Sequence, residues 1–461
     1  CIRDSQHLNA TWNLFNGRIP YKDFYEHHFP WLYLSSTFIF SFYKSVETNI
    51  EQTLSVFKVS RYFMQLFFLM SSILMFKIIS LTKDRAYAFI GFLLFITNTI
   101  FLYKTIEYRP DVPALFFYLC SIYYFSKKII SNKNKDIFLS YFFYGIAIMF
   151  TQKYLITLPA LFFTDLYFSK FKNKTTFLIT KTKSLAFLIA PFVLTYILFY
   201  FLKGHEEFID QNIVQNFKWK KIASHVYHTE TFFKGMPTEL AFCFLGLLIT
   251  AFKSYKNKII DQRCLFFGVN ILWFYVSLLL VPISAIQFYM FVIPSVIFFV
   301  IVFLENIKRN ELQSLFILII ITVNIVNVYP YYRIKKSAYR QTQEKILEHI
   351  ASKTKKDDIV FGGNPLFATF RKHIGPYQFI HEGVYLMMPK EEIAYIENSI
   401  INKEIIPKLI TYDYNITLFS KELNDFIDEH YFMIDGTQFD FHGGYEIKLL
   451  QLKEPFIKDN P

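Results

Sequence analysis

The sequence predicts a mostly α-helical polytopic membrane protein. It should be a helix bundle with about ten visible spans, a juxtamembrane first loop before it and a small α/β domain after it. Three observations predict this. Apolar runs of about 15–20 residues recur between residues 62 and 330, the length a bilayer core asks of a helix. The 461 residues are 53% hydrophobic and 20% aromatic, and only 19% are charged, below the ~25% usual for soluble domains. Beyond Tyr331 the pattern changes to short strands alternating with amphipathic helices. The expected divisions are 1–61, 62–330 and 331–461.

The apolar runs lie near 62–81, 86–104, 112–126, 137–150, 154–168, 184–202, 239–252, 265–282, 288–304 and 313–330. Several are short, so tilt or polar flanks must complete the crossing. Basic residues gather in alternate connections: Lys77, Lys83 and Arg85; Lys127 to Lys135; Lys170 to Lys183; Lys253 to Arg263; Lys308 and Arg309. The positive-inside rule turns these five toward the cytoplasm. The connections near 105–111, 151–153, 203–238 and 283–287 then face outward, and so does the tail.

A further run, Trp31–Tyr43, is too short for a comfortable span and suits a helix lying at the surface. The charge alternation by itself allows either placement. The tail should open with a helix over 337–354 and a strand over 357–363. A helix over 365–374, a helix over 390–400 and a strand over 407–413 follow. A helix over 416–431 and a strand over 445–453 complete it.

The net charge of +12 would raise nucleic-acid binding in a soluble protein. Here the excess sits in short loops between apolar runs, where it orients the chain, and no nucleic-acid partner is expected. The four cysteines show no zinc spacing and no disulfide framework. No glycine-rich phosphate loop or nucleotide fingerprint is present.

Ionisable residues concentrate instead at one set of connections. The opening segment carries Asp4, His7, Asp23, Glu26, His27 and His28, with a turn at Asn16-Gly17. An acid beside a membrane can act as general base, and histidines with acids can hold a phosphate or a divalent cation. A solvated loop would show the same composition. Arg109-Pro110-Asp111 precedes an apolar run, where Asp111 could equally be a helix cap. Lys153 interrupts two apolar runs against the charge bias, and it either binds an anion or snorkels. Gln287 and Tyr289 sit at a helix end, where they could bond a headgroup or join an aromatic belt. The loop 203–238 carries further histidines and acids without a metal spacing.

Taken together these residues resemble the polytopic GT-C-type glycosyltransferases, in the bacterial branch related to protein mannosyltransferases and the lipid A aminoarabinose transferase. The most specific part is the first-loop pattern G-x-x-P-Y-x-D-F-x-E-H-H-x-P, from Gly17 to Pro30, downstream of Asp4. Arg109-Pro110-Asp111, Thr151-Gln152-Lys153 and Gln287-Phe288-Tyr289 match weaker family segments. The chain departs in having Asp4-Ser5 where many relatives have Asp-Glu, and His27 where the lipid A enzyme has lysine after its glutamate.

The resemblance implies an inverting transfer on the outer face of a bacterial-type inner membrane, with residues 1–61 outside and a further helix expected before Cys1. The donor would be a polyprenyl-phosphate sugar and the acceptor a lipid, glycan or protein. Asp4 would be the base, and Glu26 and Asp111 would shape the site. Lys153, Arg109, His27, His28, Gln287 and Tyr289 would bind the lipid phosphate or substrate. No metal ligand is assigned, and a divalent cation is left open. A lipid-linked oligosaccharide flippase, or a surface-polysaccharide polymerase or ligase, is the alternative. A transporter should show broken, polar segments in paired repeats near mid-bilayer, whereas this chain places its acids at helix ends.

Overall fold

The computed structural model describes residues 2–43, 45–169, 174–215, 232–259, 261–280, 286–337, 339–363, 370–378, 380, 382–386, 388–434, 437, 439–441 and 445–453. The chain opens with α1 (Ile2–Phe15). It ends where Gly17 takes a φ of 80° and its N–H reaches back to Leu14 O at 3.0 Å, the left-handed stop that glycine permits. From Asp4 to Asn13 every residue of α1 is buried, so this polar helix is enclosed on all sides by other parts of the chain.

The run after Pro30 forms α2 (Trp31–Ser36) and a 3-10 turn, Thr37–Phe42. Phe38 and Phe42 project outward while Leu32, Tyr33 and Phe40 are buried. The bundle follows: α3 (Ile50–Ser80), α4 (Arg85–Thr97), α5 (Thr99–Lys104), α6 (Asp111–Ser131), α7 (Asn134–Phe150), α8 (Leu158–Phe168) and α9 (Lys174–Phe201). After α10 (His205–Ile209) come α11 (Pro237–Asn257), α12 (Gln262–Leu280), α13 (Ile293–Glu305) and α14 (Asn310–Ser337). The expected boundary at 61 falls inside α3, and the one at 330 falls inside α14.

Among the described residues four helices are long and apolar enough to cross a membrane: Ile50–Ser80, Lys174–Phe201, Pro237–Asn257 and Asn310–Tyr329. The other expected spans fall short of that measure for visible reasons. The run 86–104 breaks at Asn98, whose side chain caps α5 by accepting from Ile100 N and Phe101 N. The runs 154–168 and 288–304 begin as 3-10 turns, Gln152–Ile156 and Ile286–Phe291. Leu178, Leu194, Phe244, Leu318 and Val326 are exposed along the long helices, as side chains facing lipid would be.

Two glycines set how closely the helices approach. A Cβ on Gly145 of α7 would lie 2.2 Å from Leu188 O of α9, and one on Gly246 of α11 would lie 2.1 Å from Phe299 O of α13. Without a large hydrophobic gain between helices in lipid, such backbone contact is a main source of helix association.

The tail opens with α15 (Tyr339–Lys353). Its five-stranded sheet has the order β1 (Val360–Gly362), β2 (Leu409–Tyr412), β5 (Tyr445–Leu452), β3 (Tyr431–Met433), with β4 (Phe439–Phe441) also on β5. Only β1 and β2 run parallel, pairing Phe361 with Ile410, and β5 is antiparallel to its partners. Of the remaining tail helices, α16 (Glu382–Tyr385) is a single turn, while α17 (Lys390–Ile401) and α18 (Lys421–His430) are longer. These last two bury Ile396, Ile400, Leu423 and Ile427 in a core with Ile410 and Leu450.

The helix expected over 365–374 is not formed in its described part. Phe370 has a φ of 60°, and Lys372 bridges to Ile359. The apolar spacing there serves a different purpose. The Phe370 ring packs between Trp12, Phe40 and Phe57, in the core of the helical part.

Candidate active site

Asp4 lies fully buried on the first turn of α1. Its Oδ2 accepts from Arg61 Nε at 2.9 Å and Nη2 at 2.6 Å, and its Oδ1 accepts from Tyr108 N at 2.8 Å. Arg61 is on α3 and Tyr108 is in the connection before α6. The Tyr108 hydroxyl in turn bonds Thr11 Oγ1 at 3.0 Å and Ser36 Oγ. Helix α1 is therefore tied to three other elements around its single carboxylate.

The first-loop motif folds over α1. Tyr21 has a φ of 72°, uncommon for a residue with a Cβ. Tyr21 N–H donates to Phe24 O at 2.8 Å, and its hydroxyl donates to His28 O at 2.7 Å. Residues 25–28 are held in place from four directions. Tyr25 N donates to Pro376 O and Glu26 N to Gln211 Oε1; His27 O accepts from Gln152 Nε2 and His28 O from Tyr21.

This places the fully buried Glu26 carboxylate beside three imidazoles. Glu26 Oε1 accepts from His27 N at 3.0 Å, from His28 N at 3.1 Å, and lies 2.8 Å from His28 Nδ1. The His7 and His28 rings meet edge to face with centroids 5.0 Å apart. Burial pushes the Glu26 carboxyl up, against the pull of His27 and its hydrogen bonds. Burial holds His7 well below the usual histidine range, and His28, Arg109, His27 and Lys153 push it the same way. His7 is thus a neutral imidazole at neutral pH. One ligand atom from each of His7, Glu26 and His28 lies within 4.8 Å of the other two.

Next to this cluster runs a chain of alternating charges. Lys104 Nζ is 3.5 Å from Glu107 Oε2, and Arg109 Nη1 is 3.3 Å from the same oxygen. Arg109 Nε is 3.1 Å from Asp111 Oδ2, and Lys153 Nζ is 3.1 Å from Asp111 Oδ1. Lys104, Glu107, Arg109 and Asp111 are buried. Asp111 opens α6, and its carboxylate pairs with the two cations. Lys153 is likewise inside the fold, with its ammonium 4.8 Å from the Phe288 ring centroid.

Gln287 and Tyr289 are both buried. Tyr289 stacks on Phe232 at 4.2 Å and meets Phe274 edge-on, so its ring is a core element. Their neighbour Phe288 is the residue that touches Lys153. Sequence reasoning missed Arg61, Gln211 and Tyr33, and gave Glu107 no role within its connection. Arg61 was absorbed into an apolar helix, and Gln211 carries no charge to mark it. In the loop 203–238, the histidines and basic residues within 216–231 lie outside the described residues.

The helical part, the first loop and the tail sheet together give a fold similar to that of the polytopic GT-C-type glycosyltransferases. The dolichyl-phosphate-mannose-protein mannosyltransferase family matches residues 50–199. The whole chain is similar in fold to ArnT from Cupriavidus metallidurans in the apo state, with a TM-score of 0.56 and 8% identity over 97% of this chain and 93% of that one. ArnT bound to undecaprenyl phosphate gives 0.54 and 8%, over 98% and 94%. The apo oligosaccharyltransferase of Archaeoglobus fulgidus gives 0.54 and 11%, over 93% of this chain and 68% of that one. No curated protein matches the sequence.

Proposed function

We propose that the protein transfers a sugar, with inversion, from a polyprenyl-phosphate-linked donor to an acceptor on the outer face of the cytoplasmic membrane. The observation that carries this is the charge chain, in which Lys104, Arg109 and Lys153 alternate with Glu107 and Asp111. It gathers three cations at one set of helix ends. An entering phosphate would meet fixed positive groups there, and such fixed charge stabilises a leaving phosphate as it develops. The complexes of ArnT with undecaprenyl phosphate and of the archaeal oligosaccharyltransferase AglB with a dolichol-phosphate and an inhibitory peptide support a donor and acceptor of these classes.

In this reading Asp4 is the general base. Each carboxylate oxygen can accept more than one hydrogen bond. A hydroxyl or amine of the acceptor can therefore approach while Arg61 and Tyr108 N hold the group's orientation. The proton goes to Asp4, the acceptor atom attacks the anomeric carbon, and the glycosyl–phosphate bond breaks. Arg109 and Lys153 receive the departing polyprenyl phosphate. His27 and His28 face the donor headgroup, while Glu26 and Asp111 fix the basic residues. Residues 1–61 and 331–461 act as outer units flanking the membrane part.

The test supplies radiolabelled polyprenyl-phosphate sugars to membranes containing the full-length protein or its Asp4→Asn form. Transfer by the wild type and its loss by at least a hundredfold in Asp4→Asn is expected. Equal transfer by both removes Asp4 as base, and no transfer from any such donor removes the reading.

A further inference from the structure

We propose that Gln378 of the tail is a positioning residue for the transfer, one that sets the helix carrying Asp4 against the loop carrying Glu26. It acts through other residues. Its bonds run to Asn9 and Asn13 on α1, and its amide nitrogen faces Tyr25, the residue directly before Glu26. The inference rests on the transfer reading, which makes those two elements the two sides of one reaction.

Gln378 is buried, at 2% exposure. Its Oε1 accepts from Asn13 Nδ2 at 2.7 Å and from Asn9 Nδ2 at 3.2 Å, which uses both lone pairs of an amide oxygen. The surroundings settle which end of each amide is which. A guanidinium only donates, and Arg18 Nη1 lies 3.0 Å from Asn13 Oδ1. Phe370 N–H likewise donates to Asn9 Oδ1 at 3.1 Å. Both asparagines therefore turn Nδ2 toward Gln378. Its oxygen then faces α1, and its Nε2 faces Tyr25 O at 3.5 Å. Asn9 and Asn13 share one face of α1. Asp4 lies on the same helix, about 7.5 Å along the axis from Asn9.

The residues beside Gln378 complete the grip on Tyr25. Pro376 O accepts from Tyr25 N at 2.8 Å, and the Tyr377 and Tyr25 rings pack with centroids 4.8 Å apart. Tyr25 belongs to the tail's own core, with Ile374 and Ile380. The segment Pro376-Tyr377-Gln378 thus meets both backbone polar groups and the ring of a first-loop residue, while Gln378 holds α1 with its other end. In the transfer reading Asp4 takes the acceptor's proton, and His27 and His28 face the donor headgroup. Acceptor and donor then meet between α1 and residues 26–28, where a shift of ~1 Å costs on the order of a hundredfold in rate. Donor binding draws on Arg109 and Lys153, which are held by Asp111. Losing Gln378 should therefore lower kcat and spare KM.

Radiolabelled polyprenyl-phosphate sugar is given to the full-length protein in detergent and to its Gln378→Met form. The variant's kcat should fall at least tenfold while KM for the donor stays within about twofold. Asn13→Leu removes the shorter bond from the α1 side and should give the same split. Ile396→Val is the control for stability alone: it loosens the tail's core and should leave both constants unchanged. Amide hydrogen exchange needs no turnover. In Gln378→Met it should rise in residues 4–13 and 25–28 beyond any rise in Ile396→Val. Unchanged kcat in Gln378→Met and Asn13→Leu, a loss carried by KM, or an equal loss in Ile396→Val overturns the proposal. A wild type that transfers no sugar removes the transfer reading instead. Exchange then decides the clamp, and no rise in residues 25–28 overturns it.

Discussion

Arg61 reaches across from α3 and places both Nε and Nη2 on one oxygen of Asp4, at 2.9 and 2.6 Å. The Asp4 side chain is fully buried, and Arg61 is about one-third exposed. The pair therefore couples the first long helix of the bundle to the carboxylate proposed as base. A fork of two donors on one oxygen fixes direction as well as charge, and lysine cannot reproduce it.

Removing the guanidinium should leave a buried carboxylate uncompensated, so Arg61→Met should lower stability by roughly 3 kcal/mol. Arg61→Lys should keep more of the stability but lose orientation, with kcat for sugar transfer down about tenfold and KM for the donor little changed. The double variant Asp4→Asn/Arg61→Met should recover most of the stability and none of the activity. Thermal unfolding in detergent and single-donor kinetics read the two effects separately. Full activity in Arg61→Met would show that the pair is structural only.

The tail is bound to the first 61 residues around a buried arginine. Arg371 donates Nε to Thr354 Oγ1 at 2.9 Å, Nη1 to Phe370 O at 2.9 Å, and Nη2 to Glu47 O. Around it, Asn9 Oδ1 accepts from Phe370 N at 3.1 Å, and Asn9 and Asn13 donate to Gln378 Oε1 at 3.2 and 2.7 Å. Arg371→Met should strand these carbonyls and cost roughly 2–4 kcal/mol. The loss should be local. Amide hydrogen exchange should rise in α1 and in residues 370–378, while β2 and β5 keep their protection. Uniform loss of protection across the tail would show that Arg371 supports the sheet instead of the junction.

The helical part of the chain was the more legible in sequence, because apolar runs and basic connections are written locally. The positions of Asp4, Glu26, Arg109, Asp111 and Lys153 were legible as candidates for the same reason, as charges beside lipid. What holds them was not. Arg61, Tyr33, Gln152 and Gln211 act through contacts between elements far apart in the chain, and no periodicity encodes those. The apolar segment ending at Ile374 misled for a related reason. Phe370 satisfies its hydrophobicity in the core of the helical part, not along a helix of its own. Strands Tyr431–Met433 and Phe439–Phe441 escaped notice because three residues carry no period.

Asp413 gives the tail a pH dependence of its own. It follows β2, is nearly buried, and accepts from Asn415 N at 3.0 Å and Asn415 Nδ2 at 3.1 Å. Burial raises its carboxyl from 3.8 to about 6, only partly offset by these bonds. The folded protein thus holds a proton that the unfolded chain gives up first. This contribution to stability is fully present below the unfolded value of 3.8 and is lost as pH rises through about 6. The difference is about 3 kcal/mol at most. Asp413→Asn keeps an oxygen for Asn415 N and has no charge to bury, so it should stabilise the tail at pH 7.5 and flatten the profile between pH 4 and 7. Differential scanning calorimetry of both proteins across that range checks it. A wild-type melting temperature that rises with pH through 6, with the variant following in parallel, would place the controlling group elsewhere.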